Sequence, residues 1–204
     1  MIRRFAVPDY FYELRAAEKG FVNICGIDEA GRGPLAGPVC AAAVILPPGC
    51  DIPGLDDSKK LTEKKRESLF GIICEKAEAF SVAYASEREI DELNILNATF
   101  LAMQRACKGL AVKPDYALID GNRMPKLDIP GESLVKGDSL SMSVAAASVL
   151  AKVSRDRLML EIDKEYPEYA FYKHKGYGTK LHYERLARFG PSPVHRLTFL
   201  KKMH

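Results

Sequence analysis

The longest uninterrupted apolar run in the chain covers residues 39–46 and reads Val-Cys-Ala-Ala-Ala-Val-Ile-Leu. A membrane-spanning helix needs about 20 apolar residues, whereas a run of this length is typical of a buried strand. The prolines and glycines of residues 47–54 then predict a loop. Of the 204 residues, 47% are hydrophobic and 28% charged, as in an ordinary soluble globular protein. This composition excludes a disordered tail, a collagen-like rod and a low-complexity scaffold.

The remaining elements are predicted from hydrophobic periodicity and turn residues. Strands are expected at residues 21–27, 39–46, 80–85 and 116–119, with a short extended segment at 132–136. Helices are expected at residues 8–19, 62–79, 87–93, 95–110 and 180–189, and a long one follows Asp138 and ends near residue 165. Strands cluster in the first two-thirds of the chain and helices in the last third. The order predicts an α/β fold with a helical C-terminal extension.

The cysteines carry little information about a site. The chain has five, at positions 25, 40, 50, 74 and 107. No two have the C-x-x-C spacing and the number is odd, so we expect neither a zinc site nor a full disulfide framework. We interpret them as small buried hydrophobes in a reducing compartment. No apolar signal core follows the N-terminus, and we expect a cytoplasmic protein.

The formal charge of +3 is unevenly distributed. Residues 171–204 contain eight Lys or Arg and one acidic residue, a charge of +7, which leaves −4 for residues 1–170. All four histidines also lie in that C-terminal segment. An acidic body with a basic end is typical of a protein that holds metal with carboxylates and a polyanion with cations. The alternative is an ordinary solvated basic surface.

Four acidic residues lie where predicted strands or loops end beside glycine: Asp28, Glu29, Asp120 and Asp138. Carboxylates at the ends of buried strands are costly unless a cation meets them, and converging carboxylates raise one another's pKa. A hard divalent cation resolves both problems, and oxygen-only ligation selects Mg²⁺ or Mn²⁺ over zinc. Each acid alone has a simpler interpretation, and Asp138 in particular has the position of a helix N-cap. Together they predict a metal site.

Three further segments suggest contacts to a substrate. Gly31-Arg32-Gly33 follows the first acid pair, and its glycines let the backbone approach a phosphate or hydroxyl oxygen closely. The segment resembles a nucleotide P-loop only superficially, because Arg32 and Gly33 replace the lysine and Ser/Thr of that motif. Lys59 and Lys60 form a pair of loop cations that suits phosphate, although such a pair is just as often ordinary surface. Tyr177 stands between two glycines in a basic loop, where its ring is available to stack on a base or sugar.

Six motifs in this order resemble the ribonuclease HII family over about residues 21–200. They are Gly26-Ile-Asp-Glu-Ala-Gly-Arg-Gly33, Asp57-Ser-Lys-Lys-Leu61, Ile119-Asp-Gly-Asn122, Lys136-Gly-Asp138, Ala145-Ala-Ala-Ser-Val-Leu-Ala-Lys152 and His174-Lys-Gly-Tyr-Gly-Thr179. His195-Arg196 with Phe199 is similar to the family's closing motif. The resemblance implies a ribonuclease H-like fold, with a central mixed five-stranded sheet flanked by helices. It implies one catalytic domain over residues 1–204, with an α/β core at about 21–165 and a basic helical part at about 166–204.

The resemblance also implies roles for individual residues. Asp28, Glu29, Asp120 and Asp138 match the carboxylates that bind two Mg²⁺ or Mn²⁺ ions. Gly31, Arg32 and Gly33 match the turn that recognises the 2′-hydroxyl and adjacent phosphate, and Tyr177 matches the tyrosine that stacks on the neighbouring sugar. The implied activity is an endonuclease that cuts the RNA strand of RNA–DNA hybrids. It would also cut 5′ to single ribonucleotides in duplex DNA and leave 3′-hydroxyl and 5′-phosphate ends. The implied cellular processes are ribonucleotide excision repair and DNA replication.

Two other functions remain open from the sequence. One is a junction resolvase of the same fold, which would cut all-DNA substrates without a 2′-hydroxyl. The other is a non-catalytic protein that binds hybrids through its basic C-terminal segment. Ribonuclease HIII is disfavoured, because its last acid is a glutamate where this chain has Asp138. We expect a monomer.

Overall fold

The computed structural model describes residues 7–201, which form five strands, eight α-helices and two 3₁₀ turns. The strands are β1 (Ile24–Ala30), β2 (Val39–Ile45), β3 (Ala79–Ala85), β4 (Tyr116–Asp120) and β5 (Gly131–Leu134). The helices are α1 (Phe11–Ala17), α2 (Glu63–Lys76), α3 (Glu87–Leu93), α4 (Ile95–Lys108), α5 (Met142–Glu165), α6 (Phe171–His174), α7 (Lys180–Phe189) and α8 (Leu197–Leu200). Within residues 7–201, no helix is long and apolar enough to cross a membrane.

The strands form one mixed sheet in the order β3-β2-β1-β4-β5. β2 pairs antiparallel with both β1 and β3, while β4 pairs parallel with both β1 and β5. The α/β fold with a mixed five-stranded sheet is therefore confirmed, and so is a helical C-terminal region, which contains α6, α7 and α8. Because β1 and β4 run parallel side by side, their carboxyl ends meet at the same edge of the sheet.

The apolar run at residues 39–46 forms the buried strand that its composition predicts. Every residue of β2 is buried. Ala41 and Ala43 contribute to a core with α4 on one face of the sheet, and Ala42 and Val44 to a core with α2 and α5 on the other. The alternation follows from the two-residue period of a strand. The sheet is thus covered on both faces, which is why no polar residue interrupts the run.

The long helix α5 packs closely on β1, as its small residues predict. A Cβ atom on Gly26 would overlap the backbone of Ser143, so only glycine permits this approach. Ala145, Ala146 and Ala147 are fully buried along the same helix. Thr62 caps α2 by accepting a hydrogen bond from the Lys65 amide at 3.3 Å, also as predicted. This packing fixes the start of α5, and with it the turn before α5, against β1 and β4.

Candidate active site

Three carboxylates from separate parts of the chain converge at the carboxyl end of β1 and β4. Asp28 belongs to β1, Asp120 ends β4, and Asp138 lies in a 3₁₀ turn (Gly137–Ser139) just before α5. One oxygen from each lies within 4.8 Å of the others. Asp28 and Asp138 are only 2% and 4% exposed. An all-oxygen set of this kind fits a hard divalent cation.

The sequence predicts that the first strand ends at Asp28 and Glu29. In the structure both residues lie within β1, which extends to Ala30. β1 continues to Ala30 because its partner β2 pairs with it as far as the Ala30–Cys40 register. Adjacent residues of a strand point to opposite faces, and Glu29 is not part of the three-carboxylate cluster. It lines a neighbouring cleft of about 340 Å³ together with Arg32 and Asp120. The fourth acid is therefore beside the cluster rather than within it.

Asp138 is not the N-cap of α5. That position belongs to Ser141, whose hydroxyl accepts a hydrogen bond from the Val144 amide at 3.2 Å. Asp138 instead lies in the turn that supports Asp120, because the Gly137 amide donates to Oδ1 of Asp120 at 2.7 Å. Its carboxylate is left facing the other two acids.

The electrostatics of the cluster favour a cation. Burial raises the pKa of Asp28 well above its ordinary value, and the charges of Glu29 and Asp120 raise it further. Burial and the charge of Asp138 raise the pKa of Asp120, against the hydrogen bond from Gly137. Burial likewise raises the pKa of Glu29, although Arg32 opposes the shift from 3.4 Å. A bound divalent cation would reverse these shifts by stabilising the ionised forms.

The proposed substrate contacts lie near one another. Arg32 and Gly33 are exposed, and a Cβ atom on Gly33 would lie 3.8 Å from Cε1 of Tyr177. Tyr177 is itself 43% exposed, so its ring flanks the turn instead of filling the core. Lys59 reaches the carboxylate cluster, where its Nζ atom lies 2.9 Å from Oδ2 of Asp138. The glycine turn thus lies beside the Tyr177 ring, and Lys59 lies beside the carboxylate cluster.

The basic C-terminal segment contains both exposed and buried basic residues. Lys173 and Lys180 are exposed, but Arg196 is fully buried and is not available to a polyanion. The side chains of His174, His182 and His195 are also buried, whereas Lys202 and His204 lie outside the described residues. The segment therefore supplies both surface cations and a polar core beneath the Tyr177 loop.

Two groups of residues near the site have no role that the sequence predicts, although Asn122 and Arg196 belong to its motifs. Asn122 and Arg123 line the cleft beside Glu29. The buried Arg155 and Arg196 donate to backbone carbonyls of the segment that follows β1. Arg196 has a sequence signal in the closing motif, but nothing in that motif indicates which backbone it contacts.

Known structures have the same fold. The crystal structure of ribonuclease H2 from Pyrococcus horikoshii OT3 aligns with a TM-score of 0.71 at 27% identity, over 87% of this chain and 93% of that one. This fold, with clustered carboxylates at the shared end of two parallel strands, defines a nuclease of the ribonuclease H class.

Sequence comparisons specify the family. The family model for Ribonuclease HII matches residues 25–204. Ribonuclease HII from Caldicellulosiruptor bescii is 50% identical over 202 residues, which cover 98% of each chain. That from Desulfitobacterium hafniense is 59% identical over 180 residues, covering 88% of this chain and 69% of that protein. The chain belongs to the ribonuclease HII family and is an endoribonuclease with ribonuclease H activity on RNA–DNA hybrids.

Proposed function

We propose that this enzyme also incises duplex DNA on the 5′ side of a single embedded ribonucleotide and leaves 3′-hydroxyl and 5′-phosphate ends. The observation that carries the proposal is the turn at residues 31–33 beside Tyr177. Arg32 and Gly33 are exposed, and their backbone amides, which donate no hydrogen bond within residues 7–201, can donate to oxygens of one nucleotide. The 2′-hydroxyl is the group that separates RNA from DNA at a given position. A sensor for one nucleotide does not require a long hybrid.

Asp28, Asp120 and Asp138, with Glu29 beside them, are the residues proposed to hold two divalent ions. These ions, when bound, supply an activated water and charge stabilisation at the leaving 3′-oxygen. The oxygen donors fit Mg²⁺ or Mn²⁺, and the three carboxylate oxygens within 4.8 Å support that fit. Both ions should raise the melting temperature of the wild-type protein, and Asp28→Asn should reduce that rise. Equal rises in the two proteins would contradict the assignment.

The other residues are proposed to place the substrate. The amides of Arg32 and Gly33 orient the ribonucleotide, and the guanidinium of Arg32 meets the adjacent phosphate. Tyr177 stacks on the next sugar, and Lys59 pairs with a backbone phosphate near the carboxylates. The exposed lysines of α6 and α7 attract the duplex further along its backbone. Holding the reacting phosphate in one orientation is itself a large part of the rate acceleration in such reactions.

The proposal is tested with three substrates of equal length: a continuous hybrid, a duplex with one ribonucleotide, and an all-DNA duplex. We expect metal-dependent cleavage of the first two and none of the third. Extension of the nicked strand by a DNA polymerase, without prior phosphatase treatment, reports the 3′-hydroxyl end. Failure to cut the single-ribonucleotide duplex would overturn the proposal, and cleavage of the all-DNA duplex would favour a resolvase-like activity.

The cellular setting follows from that chemistry. Removal of single ribonucleotides from DNA belongs to ribonucleotide excision repair, and removal of RNA from hybrids belongs to DNA replication. We propose that the enzyme does this work in the cytoplasm as a monomer. Size-exclusion chromatography with light scattering, with and without duplex, tests the oligomeric state, and a dimer mass would contradict it.

A further inference from the structure

Two arginines are buried in an unusual way. Arg155 on α5 and Arg196 just before α8 are the largest fully buried side chains in the described part of the chain, at 1% and 0% exposure. Every hydrogen bond found for either guanidinium within residues 7–201 goes to a backbone carbonyl. Burying a charge without an acidic partner is costly. Such an arrangement therefore calls for an explanation beyond stability.

Arg196 contacts both ends of the segment that follows β1. Its Nη2 donates to the Gly31 carbonyl at 2.7 Å and its Nη1 to the Arg32 carbonyl at 3.0 Å. Nε and Nη2 donate to the Gly37 carbonyl at 2.8 and 2.7 Å. The backbone of Arg196 also contacts this segment directly, since the Arg196 amide donates to the Leu35 carbonyl at 2.8 Å. One guanidinium thus fixes two consecutive carbonyls of the turn.

A planar trans peptide converts these carbonyl contacts into amide directions. The N–H of each residue points away from the carbonyl of the residue before it. Holding the Gly31 and Arg32 carbonyls therefore fixes the N–H vectors of Arg32 and Gly33 on the opposite side. Both residues are exposed, and their amides make no hydrogen bond within residues 7–201. The turn presents two free donors whose directions are set from beneath.

Arg155 ties the Tyr177 loop to the same segment. Its Nη2 donates to the Ala36 carbonyl at 3.2 Å and its Nη1 to the Lys175 carbonyl at 3.1 Å. A backbone hydrogen bond of 2.8 Å from Leu35 to Gly176 runs in parallel. The loop that carries Tyr177 is thereby joined to the loop that carries the two free amides.

We propose that Arg196 is a positioning residue that aims the amides of Arg32 and Gly33 at the ribonucleotide, and that it thereby sets the discrimination between RNA and DNA. The inference rests on the proposed function, because it assumes that the turn reads the 2′-hydroxyl. Lysine at this position keeps the charge but replaces a planar fork by one nitrogen. Arg196→Lys should therefore fold while losing the fixed direction of the two amides.

The test measures duplex binding in an Asp138→Asn background, so that cleavage does not consume the substrate. Fluorescence anisotropy gives Kd for a duplex with one ribonucleotide and for the matched all-DNA duplex. We expect the Asp138→Asn parent to prefer the ribonucleotide about tenfold, as two backbone hydrogen bonds would give. Adding Arg196→Lys should remove most of that preference and leave the all-DNA Kd within about twofold. Arg157→Lys is the matched control, because Arg157 is an exposed arginine paired with Glu67.

Each outcome decides something different. A retained preference in the Arg196→Lys protein would overturn the positioning role. Equal loss of affinity for both duplexes, with a lowered Tm, would show that Arg196 acts on stability alone, which also overturns it. A parent with no preference would overturn ribonucleotide recognition itself, and the inference would fall with the proposed function. Whenever the Asp138→Asn parent prefers the ribonucleotide duplex, the Arg157→Lys control should keep that preference.

A second measurement needs no variant and covers the case in which Arg196→Lys does not fold. Backbone ¹⁵N relaxation of the wild-type protein reports the order of the turn before substrate binds. The positioning role predicts order parameters near 0.85 for Arg32 and Gly33, as in rigid backbone, despite their exposure. In metal-free buffer, where the wild-type protein does not cleave, their amide signals should shift with the ribonucleotide duplex and not with the all-DNA duplex. Order parameters below about 0.6 would overturn the proposal.

Discussion

The Nζ atom of Lys59 lies 2.9 Å from Oδ2 of Asp138, so a loop lysine supplies a positive charge directly to the carboxylate cluster. The two residues differ sharply in environment, because the Asp138 side chain is 5% exposed and that of Lys59 is 73% exposed. Burial of the lysine opposes its protonation, but the hydrogen bond to Asp138 and the charge of Asp28 raise the pKa of Lys59 overall. In this arrangement the ammonium partly offsets the repulsion among the acids.

The first prediction concerns that ammonium. Without metal, Lys59→Gln should lower stability by up to about 1 kcal/mol, or roughly 2–4 °C in Tm, since the pair is half solvated. Saturating Mn²⁺ should then raise Tm more in the variant than in the wild type. Lys60→Gln is the matched control, because Lys60 pairs with Asp56 on the surface at 2.8 Å. Identical melting of the Lys59→Gln and wild-type proteins with and without metal would disprove the electrostatic role.

Replacing one clustered acid should separate cleavage from binding. Asp138→Asn keeps the shape of the side chain but removes one negative ligand, and we expect kcat on a hybrid to fall roughly 10²- to 10³-fold. Binding of the hybrid should stay nearly unchanged, because the surface cations are intact. The exposed Asp128→Asn serves as control. Near-normal turnover of Asp138→Asn at saturating Mg²⁺ would remove Asp138 from the metal site.

The C-terminal lysines should determine part of the salt dependence. Replacing Lys173, Lys175 and Lys180 together by neutral residues should reduce the slope of log K against log salt by about 2 to 3 for duplex binding. Lys175 has a positive φ of 50°, so asparagine is the suitable replacement there. A control with Lys19, Lys108 and Lys113 neutralised removes the same charge from exposed lysines that precede β1 or β4 in the chain, whereas the acids lie at the carboxyl ends of these strands. Equal slopes in the two triple variants would show that residues 173–180 do not contact the duplex.

Tyr177 should matter more for single ribonucleotides than for continuous hybrids. Tyr177→Ala removes stacking worth ~1–3 kcal/mol, so kcat/KM on a single-ribonucleotide duplex should fall roughly 5- to 150-fold. Tyr177→Phe keeps the ring and should show a smaller defect. A tyrosine that merely anchors its loop would instead affect both substrates equally and lower Tm, so equal ratios across substrates would reject the sensing role.

The buried histidines should make the protein less stable at mildly acidic pH. Burial lowers the pKa of His182 and of His195 to about 4; a charge on His174 further opposes protonation of His182, and a charge on His182, 3.0 Å away, further opposes protonation of His195. The unfolded chain binds these protons near pH 6.5, whereas the folded chain does so only near pH 4. Stability is therefore full above about pH 6.5 and falls as the pH drops towards 4.

Linkage gives the expected size of that loss. Each histidine should cost about 2 kcal/mol between pH 7.5 and pH 5, and the pair roughly twice that. Denaturant unfolding at the two pH values measures it. The raised pKa values of Asp28 and Asp120 act in the opposite direction, so a His182→Gln, His195→Gln protein is measured in parallel. If that variant loses as much stability as the wild type, the histidines are not responsible.

Much of the local structure could be predicted from the sequence alone. The apolar run became β2, Thr62 capped α2, and the small residues of α5 allowed its close approach to Gly26. These features depend on residues near one another in the chain, through strand length, capping and side-chain size. The ribonuclease HII family was also evident in six ordered motifs, and the comparisons confirmed it.

Only the tertiary structure decided which residues meet at the site. It placed Glu29 beside the three clustered acids and not among them, because neighbours on a strand face opposite ways. It also gave the cap of α5 to Ser141 instead of Asp138. It turned Arg196 inward, onto carbonyls more than 150 positions earlier in the chain. A contact across that separation leaves no local pattern, since it depends on how the sheet, α5 and the C-terminal segment pack together. The sequence by itself determined the elements and the family, and the packing decided the geometry of the site.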